Sequence, residues 1–237
     1  MQESAFPEAE IHCTEWSSSS SPRDFTHDFL QAATYVVKVN ASALETVDSL
    51  SYWTFTDIFE EGGAGDTLFH GGFGMINLQG IVKPVFHAYR LLNTLGNEVV
   101  ARSEATIVTR AKATGKLSAL AWHYPVEVRE SVPASFASPA KAEETLACGQ
   151  PELLNVTWTG LKAGTQVLVE TLDKAHGNAL AAWESMGKPE APTREQTRQL
   201  RVAARATRQQ IFPIAADGTF TFTAGIEPWT VISIREI

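Results

Sequence analysis

The chain has 237 residues, of which 44% are hydrophobic and 19% charged, and it carries a net charge of −8 at pH 7. This negative balance argues against nucleic acid as a partner, because phosphate binding draws on clustered lysine and arginine side chains. No apolar run approaches the ~20 residues that span a bilayer, and acidic residues stand where a signal peptide carries basic ones. Two distant cysteines, Cys13 and Cys148, predict free thiols rather than a disulfide framework or a zinc site. We therefore expect a cytoplasmic protein without a metal.

Residues 1–97 predict two β-strands that alternate with two helices. The first strand covers 10–16, and a helix that begins with a serine cap follows at 21–40, where apolar residues recur at helical spacing. Aromatic and β-branched residues predict a second strand at 50–55, and a proline near its first position begins a helix at 84–95. A right-handed crossover places the two strands side by side and parallel, as in a (β/α)8 barrel. Two strands cannot close such a barrel, so we expect a chain truncated at its amino end.

An acidic and aromatic loop joins the second strand to the second helix. It contains Glu60 and Glu61, followed by His70 and a glycine-rich turn at 71–74. In α/β barrels the loops after the strands carry the site, which favours a substrate contact for at least one of the two glutamates over a solvated pair. His70 is a candidate for a direct substrate contact; the alternative is that it orients the glycine-rich turn through hydrogen bonds.

Beyond residue 97 the pattern changes to short strands separated by turns, which is typical of a β-sandwich. The strand candidates are 99–100, 107–108, 117–124, 153–158, 166–172, 210–214, 219–223 and 230–237. Two helical excursions interrupt them, one at 176–187 and one that begins at Thr193 with Gln196 as its capping-box partner. Residues 125–151 predict a long surface loop. The expected fold class is therefore α/β plus β, with the end of a barrel at 1–97 and a β-sandwich accessory domain at 98–237.

Several long motifs resemble one family. Cys-Thr-Glu-Trp-Ser-Ser-Ser at 13–19, Ser-Tyr-Trp-Thr-Phe-Thr-Asp-Ile-Phe-Glu-Glu at 51–61, and the blocks at 69–74 and 83–89 resemble the last quarter of the barrel of glycoside hydrolase family 39 β-xylosidases. The segment 177–196 resembles the helical excursion of that family's β-sandwich. The likeness covers nearly the whole chain.

The resemblance implies a retaining glycosidase that acts on β-xylosides or xylose-containing oligosaccharides without a cofactor, and it leaves a homo-oligomer open. It implies that Glu15, at the end of the seventh barrel strand, is the nucleophile, and that Glu60 or Glu61 accepts hydrogen bonds from sugar hydroxyls. A retaining enzyme needs one ionised carboxylate for attack and a second, protonated carboxyl ~5–5.5 Å away. The alternative for Glu15 is a strand-end carboxylate paired with a lysine or arginine. Trp53 and Phe73 are the flat side chains expected to cover the apolar face of a pyranose.

The chain departs from the family pattern at two places. The general acid/base of the family is the glutamate of an Asn-Glu pair on the fourth strand, whereas the only such pair here is Asn97-Glu98, after the last barrel helix. We therefore expect the acid/base to be missing from this chain, which should not turn over a xyloside by itself. Ser20 stands where the family usually has a tyrosine, five residues after the nucleophile.

Three other interpretations stay open at this point. The chain can be a catalytically inactive remnant, or its β-sandwich can act alone as a binding or interface module, with Trp158, Trp183 and Trp229 as a carbohydrate-binding face. Their scatter through separate elements favours core packing instead. An iduronidase-like relative would keep the hydrolase class and change the sugar.

Overall fold

The computed structural model describes residues 5–59, 63, 65–129 and 138–237. Its first sheet has two parallel strands, β1 (His12–Trp16) and β2 (Ser49–Tyr52), with Cys13 opposite Leu50. Helix α1 (Leu30–Ala43) lies between them in the chain, and α2 (Pro84–Leu92) follows. The predicted β-α-β-α order and the parallel pairing of the two strands are present.

Helix α1 begins later than predicted. A 3-10 turn at Phe25–Asp28 precedes it, and the capping side chain is Asp24, which accepts a hydrogen bond from the backbone N–H of Thr26, rather than the predicted Ser21. A carboxylate at this position satisfies a backbone donor that the turn leaves unpaired.

Strand β2 is shorter than predicted because its chain turns to a different partner after Tyr52. The N–H of Thr54 donates to the carbonyl of Phe73 at 3.2 Å, and the N–H of Met75 returns a bond to the carbonyl of Thr54 at 3.0 Å. The Trp53–Thr54 peptide is cis. The stretch that follows β2 is thus bonded directly to the glycine-rich turn.

The rest of the chain forms two antiparallel sheets from all of the predicted strand regions. The strands are β3 (Glu98–Arg102), β4 (Thr106–Arg110), β5 (Leu117–Trp122), β6 (Glu152–Trp158), β7 (Gln166–Leu172), β8 (Arg208–Pro213), β9 (Phe220–Ile226) and β10 (Val231–Glu236). Six of them form one sheet in the order β3-β4-β5-β10-β7-β8, and β6 pairs with β9 in the other. Alternate side chains of both sheets, among them Val167, Ile234, Trp158 and Phe220, share one buried apolar cluster.

A second apolar cluster joins the parallel and antiparallel parts of the molecule. Val36 of α1 and Leu91 of α2 pack in the same buried cluster as Leu120, Trp229 and Val231. The hydroxyl of Thr34 also donates to the carbonyl of Trp229 at 2.8 Å. Residues on both sides of the boundary predicted at residue 97 therefore share one core. The division into two domains stays a prediction.

The prediction of a loop over 125–151 is wrong. Two helices occur there, α3 (Val126–Arg129) and α4 (Pro139–Leu146), and residues 130–137 lie outside the described part. The side chain of Ser138 caps α4 by accepting from the N–H of Lys141, and Pro139 occupies the first position. A composition rich in serine, alanine and proline concealed this helix start.

The predicted helical excursions are present as α5 (Leu180–Ser185) and α6 (Arg194–Arg205). Thr193 and Gln196 form the predicted capping box at the start of α6. Among the described residues, no helix is long and apolar enough to cross a membrane.

A buried glutamate connects α2 to the larger antiparallel sheet. Glu170 of β7 receives hydrogen bonds from Arg90 of α2 at 2.6 Å, from Thr207 at 2.6 Å and from Arg235 of β10 at 3.2 Å. Burial alone would raise the pKa of Glu170, but the hydrogen bonds from Arg90 and Thr207 outweigh burial and lower the pKa to about 2. The carboxylate thus stays ionised, and it fixes α2 against the sheet.

Candidate active site

A cavity of about 380 Å³ lies at the carboxyl end of β1. Its lining residues are Glu15, Trp16, Ser17, Ser19, Ser20, Pro22, Trp53 and Phe73. Three of the site residues predicted from the sequence, Glu15, Trp53 and Phe73, therefore share one cavity although they come from three separate segments. Parallel pairing explains this convergence, because the carboxyl ends of β1 and β2 lie at the same edge.

The carboxylate of Glu15 is exposed at this edge. It forms no ion pair or hydrogen bond with the described residues, so the strand-end ion pair considered as an alternative is not found there. A carboxylate that faces a cavity beside an indole and a phenyl ring has the composition of a sugar site: the rings offer apolar faces, and the carboxylate offers a nucleophile or a hydrogen-bond acceptor.

An aromatic cluster lies behind the cavity. Trp16 contacts Tyr52 edge to face with ring centroids 6.1 Å apart, and Tyr52 contacts Tyr89 in the same manner at 5.7 Å. The Ser17 hydroxyl donates to the Tyr52 hydroxyl at 3.4 Å. Burial raises the pKa of Tyr52 to about 12, so this phenol stays protonated and acts as a fixed polar contact below Ser17.

Phe73 reaches the cavity from the glycine-rich turn, which packs closely against its neighbours. A Cβ on Gly74 would lie 2.2 Å from the backbone nitrogen of Asp57, so only glycine fits. Gly71 has a φ of +78°, and a Cβ there would meet the Asp24 backbone at 2.7 Å. Together with the backbone bonds between Phe73 and Thr54, this packing keeps the two aromatic walls of the cavity in one rigid unit.

A buried charged cluster lies behind the turn. The ammonium of Lys83 is 2.7 Å from Asp28 and 2.9 Å from Asp57, and all three side chains are buried. Burial by itself would lower the pKa of Lys83, but the two carboxylates outweigh burial and raise it. Burial is also the main reason why the pKa of Asp57 is raised, against the attraction of Lys83.

His27 connects the serine-rich segment to the glycine-rich turn. Its Nδ1 donates to the carbonyl of Gly71 at 3.0 Å, its Nε2 lies 3.2 Å from the Ser19 hydroxyl, and its ring lies 4.9 Å from that of Phe73. Burial lowers the pKa of His27, which favours the neutral ring. The serine-rich segment and the glycine-rich turn, which both line the cavity, are thereby tied to one imidazole.

Of the other predicted site residues, His70 does not line the cavity. His70 is buried and its Nδ1 donates to the carbonyl of Thr67 at 3.1 Å, a bond that suits the loop-orienting alternative. Glu60 and Glu61 lie outside the described residues. In the part of the chain that the structure describes, no group of three His, Cys, Asp or Glu side chains could hold a metal ion.

Sequence reasoning missed the supporting residues His27, Asp28, Asp57 and Lys83 as parts of the site. A lysine directly before a helix-starting proline is normally solvated, and no local pattern reports that Lys83 is fully buried. The sequence feature that could have indicated this cluster is the placement of Asp57 and Lys83 on either side of the glycine-rich turn. Only the folded turn brings these two side chains together.

The model of the family described as Glycosyl hydrolases family 39 matches residues 1–221. The chain belongs to this family. The family resemblance derived from the motifs around Glu15 and the glycine-rich turn is therefore confirmed.

Proteins similar to this chain extend well beyond it. A β-xylosidase from Geobacillus stearothermophilus is 35% identical over 195 residues, which cover 82% of this chain and 35% of the relative. A β-xylosidase from Caldicellulosiruptor saccharolyticus is 30% identical over 236 residues, 98% of this chain and 45% of the relative. The crystal structure of the family 39 enzyme from Xanthomonas axonopodis pv. citri superposes with a TM-score of 0.82 at 30% identity, covering 99% of this chain and 46% of that one. The chain thus spans less than half the length of each of these relatives.

Proposed function

We propose that the chain is the C-terminal part of a retaining β-xylosidase, with Glu15 as the catalytic nucleophile. In this proposal residues 1–97 are the last two βα units of a (β/α)8 barrel and 98–237 are a β-sandwich accessory domain. The observation that carries the proposal is the position of the Glu15 carboxylate, which has no partner among the described residues, in a cavity with Trp53 and Phe73. The chain belongs to family 39, and its relatives include β-xylosidases.

The chemistry follows the double displacement of retaining glycosidases. The Glu15 carboxylate attacks the anomeric carbon of a β-xyloside, the bond to the leaving oxygen breaks, and a covalent xylosyl ester forms. A second carboxyl group donates its proton to the leaving oxygen, then removes a proton from the water that hydrolyses the ester. This acid/base group is not part of the present sequence, so the chain supplies the nucleophile and part of the sugar site.

The remaining site residues hold the sugar. Trp53 and Phe73 cover the apolar face of the xylose ring. Glu60 or Glu61 accepts hydrogen bonds from its hydroxyls, and such charge-assisted bonds are stronger than neutral ones. His70 supports the loop rather than contacting the sugar. Xylose-containing oligosaccharides are the proposed substrates, and a cytoplasmic location and homo-oligomerisation stay predictions.

A stand-alone carbohydrate-binding sandwich is less well supported. Two of the three tryptophans considered for such a face, Trp158 and Trp229, are buried in the core. The third, Trp183, packs edge to face on Phe69 with centroids 5.2 Å apart. These contacts favour packing roles.

Covalent trapping tests the nucleophile independently of the acid/base. A 2-deoxy-2-fluoro-xyloside with a dinitrophenolate leaving group needs no proton donor, and its xylosyl ester hydrolyses slowly. We expect mass spectrometry to find one fluoroxylosyl adduct on Glu15, and none in Glu15→Gln. Glu98→Gln, a change on the exposed strand β3, is the matched control and should label normally. Labelling at another residue, or no labelling of a folded chain, would contradict the assignment.

Hydrolysis of p-nitrophenyl β-xyloside tests the missing acid/base. We expect no turnover above the buffer rate, since general acid catalysis typically contributes ~10²–10⁴-fold. Turnover by the chain alone that Glu15→Ala abolishes would show that a donor within this sequence completes the site.

A further inference from the structure

The contacts of the buried charged cluster converge on the glycine-rich turn. Lys83 directs its ammonium to Asp28 at 2.7 Å, to Asp57 at 2.9 Å and to the carbonyl of Gly72 at 2.9 Å. An ammonium has three protons, so each acceptor can receive one. The side chain is fully buried; it donates hydrogen bonds to Asp57 and to Gly72, and it forms an ion pair with Asp28.

Each carboxylate of the cluster also holds one end of the turn. Asp28 accepts the N–H of Gly71 at 2.6 Å, and Asp57 accepts the N–H of Gly74 at 2.7 Å. Gly71, Gly72 and Gly74 are thus each bonded to the cluster. Phe73 is the one residue of the turn whose backbone is not, and its side chain lines the Glu15 cavity.

Stability alone is a poor explanation of this arrangement. Two buried carboxylates share one buried ammonium, and apolar groups of the same volume often stabilise a core as well as a buried ion pair does, or better. What the charges add is direction: short charge-assisted bonds fix the backbone at Gly71, Gly72 and Gly74, which have no side chains to pack.

We propose that Lys83 is a positioning residue of the sugar site, which acts through Asp28 and Asp57 to hold the 71–74 turn so that Phe73 forms the cavity wall. The proposal rests on the proposed function, because it assigns the positioned wall to sugar binding. Lys83 does not touch the substrate. Its loss should change the turn and the affinity for sugar together, and leave the antiparallel sheets as they are.

The first test compares Lys83→Met with Lys112→Met, which removes an ammonium from an exposed turn. Proton–nitrogen spectra of the whole chain report the Gly71 and Gly74 amides, which charge-assisted bonds shift downfield, and nuclear Overhauser contacts report the His27–Phe73 ring pair. In Lys83→Met we expect both glycine amides to move upfield and the ring contact to weaken. Lys112→Met should leave them unchanged, as should the amides of β7 and β10 in both variants.

The second test is xylobiose binding, followed by tryptophan fluorescence. We expect Lys83→Met to lower the affinity about tenfold and Lys112→Met to leave it unchanged. Unchanged glycine amides in folded Lys83→Met, or moved amides with unchanged affinity, would overturn the proposal. Absence of xylobiose binding by the wild-type chain would instead count against the proposed function, and the amide spectra would still decide whether Lys83 positions the turn.

A conservative pair keeps the proposal testable if Lys83→Met fails to fold. Asp57→Asn retains an oxygen for the N–H of Gly74, whereas Asp57→Ala removes it. If the Asp57 oxygen positions the turn, Asp57→Asn should keep native-like Gly74 and Phe73 signals and near-native xylobiose affinity. Asp57→Ala should lose the native-like signals and the affinity. Equal behaviour of the two variants would refute a positioning role for the hydrogen bond.

Discussion

The region around β1 and β2 and the antiparallel region beyond Glu98 are held together by different interactions. Strand ladders and an apolar cluster between two sheets order the antiparallel region. In the first region, the long connection from β2 to α2 contains no helix or strand among its described residues, and side-chain bonds to backbone and the buried Lys83 cluster hold it. The antiparallel region therefore supplies the frame of the molecule, whereas the irregular connection from β2 to α2 presents a wall of the cavity.

The largest expected effect is a difference in the free energy of unfolding between two variants, one that truncates a tryptophan of the shared core and one that truncates a tryptophan of the cavity. Trp229 is fully buried where the two regions meet, and its ring packs on Tyr124 with centroids 5.1 Å apart. Trp229→Ala should lower the free energy of unfolding by about 3–5 kcal/mol, because the truncation leaves a large void. Trp53→Ala, in the cavity wall, should cost about 1 kcal/mol or less and should weaken xylobiose binding. Urea titration of both variants measures the contrast, and equal losses would contradict the division into frame and site.

Glycines in the two regions should also respond differently. Gly74→Ala drives a Cβ to within 2.2 Å of the Asp57 backbone and should cost about 2–3 kcal/mol through overpacking. Gly115→Ala, in a turn of the antiparallel region with φ +74° and open space around it, should cost only about 1 kcal/mol of conformational energy. Thermal unfolding distinguishes the two, and the comparison fails if Gly115→Ala proves the more destabilising.

Glu170, which joins the two regions, should make the stability of the fold depend on pH. A pKa of about 2 in the folded state, below the ordinary 4.5, means that ionised Glu170 stabilises the fold above pH 4.5 and that this stabilisation is lost as the pH falls toward 2. Glu170→Gln should therefore be about 2 kcal/mol less stable than the wild-type chain at pH 7, with the difference shrinking below pH 4.5. Denaturant unfolding at a series of pH values measures it. A difference that is constant from pH 7 to pH 2 would show that the charge is not responsible.

Sequence reasoning succeeded where local chemistry determines structure. Each strand of the antiparallel region is a short run between turns, and the capping box of Thr193 and Gln196 marks α6, so these elements are predictable one by one. The motifs at 13–19, 51–61 and 69–74 were equally local, and they led to the family and to three residues of the cavity.

The remainder depended on contacts between distant segments. Asp28 and Asp57 meet Lys83 across 55 and 26 positions of the chain, and only folding brings them together behind the glycine-rich turn. His70 carried two interpretations that no local pattern could separate, since a histidine beside glycines suits a ligand contact and a structural hydrogen bond alike. The helix α4 was missed although Ser138 and Pro139 carry a recognisable start signal, because the composition of its neighbours favoured a loop.

The smallest expected effect compares two helix caps, one in each region. Thr193→Ala removes the exposed cap of helix α6 and should cost about 1 kcal/mol, since only local hydrogen bonds are lost. Asp24→Ala also removes a cap, but Asp24 additionally accepts the Ser19 hydroxyl at 2.6 Å, and Ser19 lines the Glu15 cavity. Its cost should therefore exceed that of Thr193→Ala by about 1 kcal/mol, and it alone should weaken xylobiose binding. Chemical denaturation and fluorescence titration of the two variants measure both differences. Equal losses of stability with intact sugar binding in both variants would show that the hydrogen bond from Ser19 to Asp24 stabilises neither the fold nor the cavity. The region around β1 and β2 would then depend less on such hydrogen bonds than the structure indicates.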